Sequence, residues 1–99
     1  MKIHWTNTAL DHLSAIHDYI AQDSKDYAKR VVDQLTRRSQ QIGVFPQSGR
    51  IVPEFELEQI REIIEGSYRL IYYIKPDQID VLAVIHGAQQ TLSDKNDIS

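Results

Sequence analysis

Polar and apolar residues alternate through residues 60–74, IREIIEGSYRLIYYI, in the second half of this 99-residue sequence. A period of two is typical of strands with one buried face, and the central Gly66-Ser67 pair is a two-residue turn signal. A further apolar run extends from Ile79 to His86, after the turn residues Pro76-Asp77-Gln78. These signals predict an antiparallel meander of three strands, over residues 60–65, 68–75 and 79–86.

Before the meander, apolar residues recur every three or four positions, which indicates helices. The two apolar stripes consist of Leu10, Leu13, Ile16 and Ile20, and then of Ala28, Val31, Val32, Leu35, Ile42 and Phe45. Thr6, Asn7 or Thr8 is expected to cap the first helix, and Asp23 or Ser24 the second. The short link predicts an antiparallel helix hairpin that ends near Gly43, before Pro46. Residues 46–50 are predicted to form a loop, and Pro53 to keep the next residues extended.

The predicted fold belongs to the α+β class. A short strand over residues 2–5 lies at the sheet edge, and the antiparallel helix hairpin packs on a small, mostly antiparallel sheet. Residues 1–87 are expected to form one domain. Residues 88–99 hold one leucine, one isoleucine and no aromatic residue, which predicts a flexible or partner-bound tail. On the central strand, one face is expected to be open to a partner; it comprises Arg69, Ile71, Tyr73 and Lys75.

Composition and charge exclude several classes of protein. The 11.5 kDa chain is 41% hydrophobic and 25% charged, which is typical of one small globular domain. It contains no cysteine, so disulfide scaffolds and thiolate metal sites are excluded. The formal net charge of −3 divides into +1 over residues 1–49 and −4 over residues 50–99, without the basic cluster typical of nucleic-acid binders. No stretch resembles a signal peptide or a membrane span, so a cytoplasmic protein without membrane contact is expected.

No strong catalytic or metal-binding motif is present. The sequence lacks a phosphate-binding glycine loop, a zinc spacing and a nucleophile elbow. His12 and His17 are five residues apart, whereas two ligands on one helix face need a spacing of three or four. We therefore predict neither a metal site nor a cofactor.

The residue types that remain for chemistry are arginines, one glutamate and one histidine: Arg50, Glu54, Arg61, Arg69 and His86. The antiparallel connections are expected to bring Arg69 and His86 to the same end of the meander. A metal-free ribonuclease needs a base, a cation for the phosphorane and an acid. Arg69 suits the cation and His86 or Glu54 the base, whereas no residue is assigned as the acid. The simpler interpretation, favoured on these residues alone, is a cross-strand ion pair of Arg69 with Glu62 or Glu65, and a purely structural His86.

Three segments resemble the ParE/RelE superfamily of bacterial toxins from toxin–antitoxin pairs: GRIVPEF, IREIIEGSYRLIYYI and IDVLAVIHGAQ, at residues 49–55, 60–74 and 79–89. The most specific piece is REIIEGSYRLIY, followed by the strand that ends in His86-Gly87. The resemblance implies one of two activities, cleavage of ribosome-bound mRNA (RelE-type) or poisoning of DNA gyrase (ParE-type). It places the arginine of the RelE-type site on Arg69 and an acidic residue on Glu54. The C-terminal tyrosine of many such ribonucleases has no counterpart, and Gln89 stands where many relatives have arginine.

Charge favours the gyrase activity among those implied by the resemblance. A ribosome-dependent enzyme must approach dense phosphate, yet five glutamates surround the expected active face: Glu54, Glu56, Glu58, Glu62 and Glu65. Gyrase is a protein target and imposes no such requirement. We therefore expect a growth-inhibiting gyrase poison, of the kind associated with plasmid stabilisation, rather than an enzyme. The alternatives are an mRNA endonuclease and an inactive member that acts only as a binding module.

The resemblance also implies a protein partner, a cognate antitoxin that wraps the helix hairpin and sheet. Candidate contacts with the antitoxin or the target are Arg50, Arg61, Tyr68, Tyr73 and Gln89. Tyr72 is expected to pack against the helices instead. The free toxin could form a homo-oligomer.

Overall fold

The computed structural model describes residues 1–87; the predicted tail, including Gln89, lies outside them. Two helices and five strands follow one another along the chain. They are β1 (Lys2–Trp5), α1 (Asn7–Ala21), α2 (Lys25–Val44), a 3-10 turn (Pro46–Ser48), β2 (Arg50–Ile51), β3 (Ile60–Glu65), β4 (Tyr68–Ile74) and β5 (Gln78–His86). No helix among these residues has the length and apolar character needed to cross a bilayer.

The five strands form one sheet in the order β1-β5-β4-β3-β2. β1 pairs in parallel with β5 at one edge, and the other neighbours are antiparallel. The predicted α+β fold, with its meander and edge strand, is confirmed. The loop prediction missed β2, in which Arg50 lies opposite Glu62 and Ile51 opposite Arg61. A two-residue strand has no period of its own, so its pairing depends on β3.

Both helices begin at predicted caps. The Thr6 side chain accepts a hydrogen bond from the Ala9 N–H, and the Ser24 side chain accepts one from the Tyr27 N–H. These bonds satisfy backbone donors that a helix N-terminus leaves unpaired. At the turn between β3 and β4, Gly66 has a φ of +60°, as in the type II′ turns that favour glycine at this position.

The helices bury one face of the sheet. The cluster between them consists of Ala9, Val31, Leu35, Ile42, Ile63, Leu70, Tyr72, Ile79, Val81 and Val84. Tyr72 is fully buried there, as predicted. The opposite face, which we call the outer face, has its own small cluster of Val52, Ile71 and Ala83. The prediction of an open face is therefore wrong at its centre, because Ile71 is fully buried with Val52, a residue from outside the meander.

A β-bulge in β5 connects the sheet to α1. Tyr72 lies opposite Val81 and Ile71 opposite Ala83, so Leu82 is the extra residue. The Thr6 hydroxyl donates to the Val81 carbonyl at 2.9 Å, and the Thr6 N–H donates to the same oxygen at 3.1 Å. Because β1 pairs only with residues 78–81 of β5, α1 lies along the rest of this edge.

Candidate functional site

The outer face contains a charged cluster that spans three strands. Glu62 on β3 lies opposite Arg50 on β2 and opposite Ile71 on β4. Arg69 lies two residues before Ile71, so its side chain is on the same face and diagonal to Glu62. The pairing of β2, β3 and β4 thus places two guanidinium groups beside one carboxylate.

Glu62 is the centre of this cluster. Its side chain is fully buried, and both of its oxygens accept hydrogen bonds from arginine. Arg69 donates from Nε to Oε1 at 2.8 Å and from Nη2 to the same oxygen, and Arg50 donates from Nε to Oε2. A carboxylate out of water is tolerated when charged donors of this kind compensate it. The cluster is the cross-strand ion pair of the simpler sequence interpretation, with Arg50 added.

The two arginines differ in accessibility. The Arg69 side chain is 12% exposed, whereas the Arg50 side chain is 68% exposed. Arg69 is therefore held inside the cluster, and Arg50 closes it from the solvent side. Of the two guanidinium groups, that of Arg50 is the one accessible to a partner.

His86 lies at the same end of the sheet as Arg69, as the topology predicts, but the register places it on the other face. It lies opposite Tyr68, and Arg69 lies opposite Ile85. Side chains alternate along a strand, so His86 belongs to the helix side with Tyr68, and Arg69 to the outer face with Ile85. The His86 ring contacts the Tyr68 ring edge-on, with centroids 5.6 Å apart. The prediction considered only which ends of the strands meet and not which face each side chain occupies. It therefore placed Arg69 and His86 together, although they lie on opposite faces of the sheet.

Two further candidate residues lie near β2, and Arg61 is apart from the cluster formed by Arg50, Glu62 and Arg69. Glu54 lies in the turn after Val52, between β2 and β3, and is half-buried. Arg61 is on the helix side of β3, where its Nη1 donates to the Gly49 carbonyl at 2.9 Å and its Nε donates to the Glu58 carbonyl at 3.0 Å. Arg61 therefore supports the chain on either side of β2.

Tyr72 holds the segment before β2 against the sheet. Its hydroxyl donates to the Pro46 carbonyl at 2.6 Å and accepts from the Gly49 N–H at 3.0 Å. Burial raises the pKa of Tyr72 above 10.0. Gly49 is needed for this approach, because a Cβ there would lie 2.5 Å from the Glu62 carbonyl oxygen. The two tyrosines predicted as contacts are partly accessible: Tyr68 is half-buried and Tyr73 is 38% exposed.

A second ion pair lies at the far end of the meander. Lys75 Nζ is 2.7 Å from Asp80 Oδ2, and Gln78 Nε2 donates to Asp80 Oδ1 at 2.7 Å. The hydrogen bond from Lys75 lowers the pKa of Asp80 and raises that of Lys75. In the part of the chain that the structure describes, no three His, Asp or Glu side chains are arranged to hold a metal ion.

Glu62 was predicted from the sequence as an ion-pair partner of Arg69, not as the centre of a site. The available signal was a carboxylate between Ile60 and Ile64 on a strand face that also contains apolar residues. Its second partner, Arg50, could not be inferred, because β2 was predicted as a loop.

Known proteins resemble this chain in sequence and structure. Residues 3–91 match the family described as the ParE toxin of the type II toxin–antitoxin system parDE. Toxin RelE2 of Caulobacter vibrioides is 28% identical over 89 residues, which are 89% of this chain and 97% of that protein. A structure of the chromosomal ParDE system from P. aeruginosa superposes with a TM-score of 0.72 at 21% identity, covering 87% of this chain and 95% of the other.

A structure of the RelBE2 toxin–antitoxin complex from Mycobacterium tuberculosis gives a TM-score of 0.65 at 20% identity, covering 86% of this chain and 95% of the other. The fold and the family match define the class of protein: a small toxin of the ParE/RelE superfamily. Within that class, the chain belongs to the ParE toxin family of type II toxin–antitoxin systems.

Proposed function

We propose that this protein inhibits growth by poisoning DNA gyrase and that a cognate antitoxin neutralises it. The observation that supports this target over mRNA is the state of Arg69, whose guanidinium is bound to the buried carboxylate of Glu62. A cation that stabilises a phosphorane must direct its N–H groups at the phosphate oxygens. Here Nε and Nη2 already bind Glu62.

The placement of His86 also supports a target other than RNA. Base, cation and acid must converge on one scissile phosphate. Arg69 is on the outer face, whereas the register assigns His86 to the helix side. A protein target requires only a complementary surface, to which the exposed Arg50 and Tyr73 could contribute.

The proposed antitoxin partner is supported by the relatives. The P. aeruginosa structure is of a ParDE toxin–antitoxin system, and the M. tuberculosis structure is of a toxin–antitoxin complex. Gyrase acts in the cytoplasm, so the proposal places this protein there.

The second candidate function is cleavage of ribosome-bound mRNA, which the similarity to Toxin RelE2 favours. In that case Glu62 would have to release Arg69 when message binds. Releasing it would leave a buried carboxylate without its most enclosed partner, which is costly.

The two functions predict different effects of removing the buried ion pair. The variant Glu62→Met with Arg69→Met replaces the pair by apolar side chains of similar length and is expected to fold. The protein is induced in cells that lack the antitoxin, and plasmid supercoiling and full-length mRNA are measured together. As a gyrase poison, both the unmodified chain and the double variant block supercoiling and leave mRNA intact.

Two outcomes would contradict the proposal. Cut mRNA with normal supercoiling, abolished in the double variant, would identify an endonuclease with Arg69 in its site. Unchanged growth on expression of the unmodified chain would instead identify a member that only binds its partner. The melting temperature of each purified variant is the control for folding.

A further inference from the structure

The end of α2 exposes two large apolar side chains. Val44 is 69% exposed and Phe45 is 67% exposed, although α2 buries Leu35 and Ile42 against the sheet. Beside them lies a cleft of about 610 Å³. Its lining, which we call the α2-end patch, includes Met1, Val44, Phe45, Pro46, Ser48 and Ile74. Neighbouring apolar groups that stay open to water are typical of interaction sites.

The α2-end patch is held in one shape by hydrogen bonds. The Phe45 N–H donates to the Gln41 carbonyl at 3.0 Å, and the Ser48 N–H donates to the Phe45 carbonyl at 3.0 Å. The hydroxyl of the buried Tyr72 fixes the next residue, because it donates to the Pro46 carbonyl at 2.6 Å. A surface that is already ordered loses little conformational entropy when a partner covers it, which favours binding.

The patch combines a protruding group with a recess of the same apolar character. An aromatic side chain has about 150–250 Å² of surface, so Phe45 leaves roughly 100–170 Å² open to water. The volume of the adjoining cleft is typical of sites that enclose a whole small ligand, so the cleft has room for an aromatic ring. In a two-fold symmetric contact a patch meets its own copy. Phe45 of each copy would then enter the cleft of the other.

Charge also favours a second copy of this chain at the α2-end patch. Each copy has a formal net charge of −3, so two copies repel each other over most of their surfaces. The side chains that line the cleft are uncharged, so this repulsion is least there. The loop between β2 and β3 differs in this respect: Leu57 is 50% exposed, but it lies between Glu56 and Glu58. Like charges would meet across a two-fold contact at that loop.

Other occupants fit the patch less well. A phosphate backbone or an anionic lipid surface is bound by cations, and the described lining has no charged side chain. Residues 88–99 of this chain contain two large apolar residues, Leu92 and Ile98, among mostly polar ones. They follow β5, which ends at His86, about 23 Å along the strand from the Ile79 that lies opposite Ile74.

We propose that two copies of this chain associate through the α2-end patch into a two-fold dimer, with Phe45 at the centre of the contact. An interface built on so few side chains is small, and small interfaces are weak. A dissociation constant on the order of 10–100 µM is therefore expected. This inference does not depend on the proposed gyrase target, and the patch is separate from Glu62 and Arg69.

The test measures the mass of the purified chain by sedimentation equilibrium between about 5 and about 500 µM. Phe45→Ser and Val44→Ser remove the exposed apolar groups of the patch, and Leu57→Ser is the matched control in the loop between β2 and β3. Phe45→Leu restores an apolar side chain. All four side-chain changes are at exposed positions, and the melting temperature of each variant is the control for folding.

The unmodified chain is expected to shift from 11.5 kDa towards twice that mass as its concentration rises. Phe45→Ser and Val44→Ser are expected to weaken the dimer about tenfold or more, Leu57→Ser is expected to change it less than about threefold, and Phe45→Leu is expected to recover part of the loss. Because salt screens the repulsion between copies, about 0.5 M NaCl is expected to strengthen the dimer.

Three outcomes would overturn the inference. A chain that stays monomeric at every concentration would exclude the dimer, and equal weakening by Phe45→Ser and Leu57→Ser would place the contact elsewhere. A monomeric chain whose block of gyrase supercoiling is lost in Phe45→Ser would assign the patch to the target instead. Failure to block supercoiling by the unmodified chain would contradict the proposed function alone, since the dimer is measured without gyrase.

Discussion

At the scale of single residues, Glu62 has the largest effect on the candidate site. It lies between Ile60 and Ile64 on a face of β3 that is otherwise apolar, and it becomes fully buried only in the folded sheet. Burying a carboxylate is unfavourable unless charged donors compensate it, and Arg69 and Arg50 are those donors. Arg69 is therefore, first of all, the counter-ion of Glu62.

We expect Arg69→Met alone to lower the free energy of unfolding by about 3 kcal/mol, because it leaves Glu62 buried with one exposed partner. Adding Glu62→Met is expected to recover most of that loss. Arg50→Met is the matched control and costs at most about 1 kcal/mol, because Arg50 is largely in solvent. Urea unfolding of the single and double variants provides the measurement. Additive losses would contradict the coupling between Glu62 and Arg69.

At the scale of elements, the contact between α1 and β5 replaces strand pairing. β1 ends at Trp5, and beyond it no other strand among residues 1–87 lies beside that edge of β5. His12 on α1 takes the place of a strand partner here, since its Nδ1 accepts a hydrogen bond from the Val84 N–H at 3.2 Å. An unsatisfied buried N–H is costly, so this bond helps to fix the position of α1 over the sheet.

Replacing His12 by alanine is expected to cost about 1–2 kcal/mol, because the Val84 N–H loses its acceptor. His12→Asn is expected to recover part of the loss, since the amide oxygen can occupy nearly the position of Nδ1. His17→Ala is the control: the His17 side chain is 45% exposed and its Nδ1 lies 3.2 Å from the neighbouring Asp18, so a change within about 0.5 kcal/mol is expected. Denaturant unfolding measures all three, and equal effects at both histidines would argue against a specific bond.

At the scale of the whole molecule, two ionisable side chains on β4 and β5, Tyr72 and Asp80, limit the stable pH range. The pKa of Asp80 is lowered by its hydrogen bond from Lys75, so the charged carboxylate favours the folded state. The pKa of Tyr72 is raised by burial, so the neutral phenol favours the folded state. The first contribution is present above about pH 3.8 and is lost as the pH falls through the folded-state pKa. The second is present below about pH 10.0 and is lost as the pH rises.

Stability measured from pH 2.5 to 11 is therefore expected to decline at both ends. Asp80→Asn should flatten the acidic decline, and Tyr72→Phe should reduce the alkaline one. Some alkaline decline should persist in Tyr72→Phe, because the raised pKa of Lys75 also contributes above about pH 10.5. Thermal unfolding at each pH measures stability, and tyrosine absorbance reports ionisation. Identical pH profiles for the variants and the unmodified chain would refute these assignments.

The order and type of most elements follow from local sequence. Periods of two and of three to four distinguish strands from helices, and Thr6, Ser24 and Gly66 mark their ends. These signals act over a few residues, so they are present in the sequence before any packing. The resemblance of residues 61–72 to the ParE/RelE superfamily was likewise sufficient for the family.

Contacts between distant residues depend instead on the folded sheet. β2 exists because Arg50 and Ile51 meet β3, and the Leu82 bulge adjusts the register of β5 beneath α1. Register also determines which side chains share a face, so it separates His86 from Arg69 and places Glu62 between two arginines. A strand's face inverts with a shift of one residue, and only packing of both faces selects among such registers.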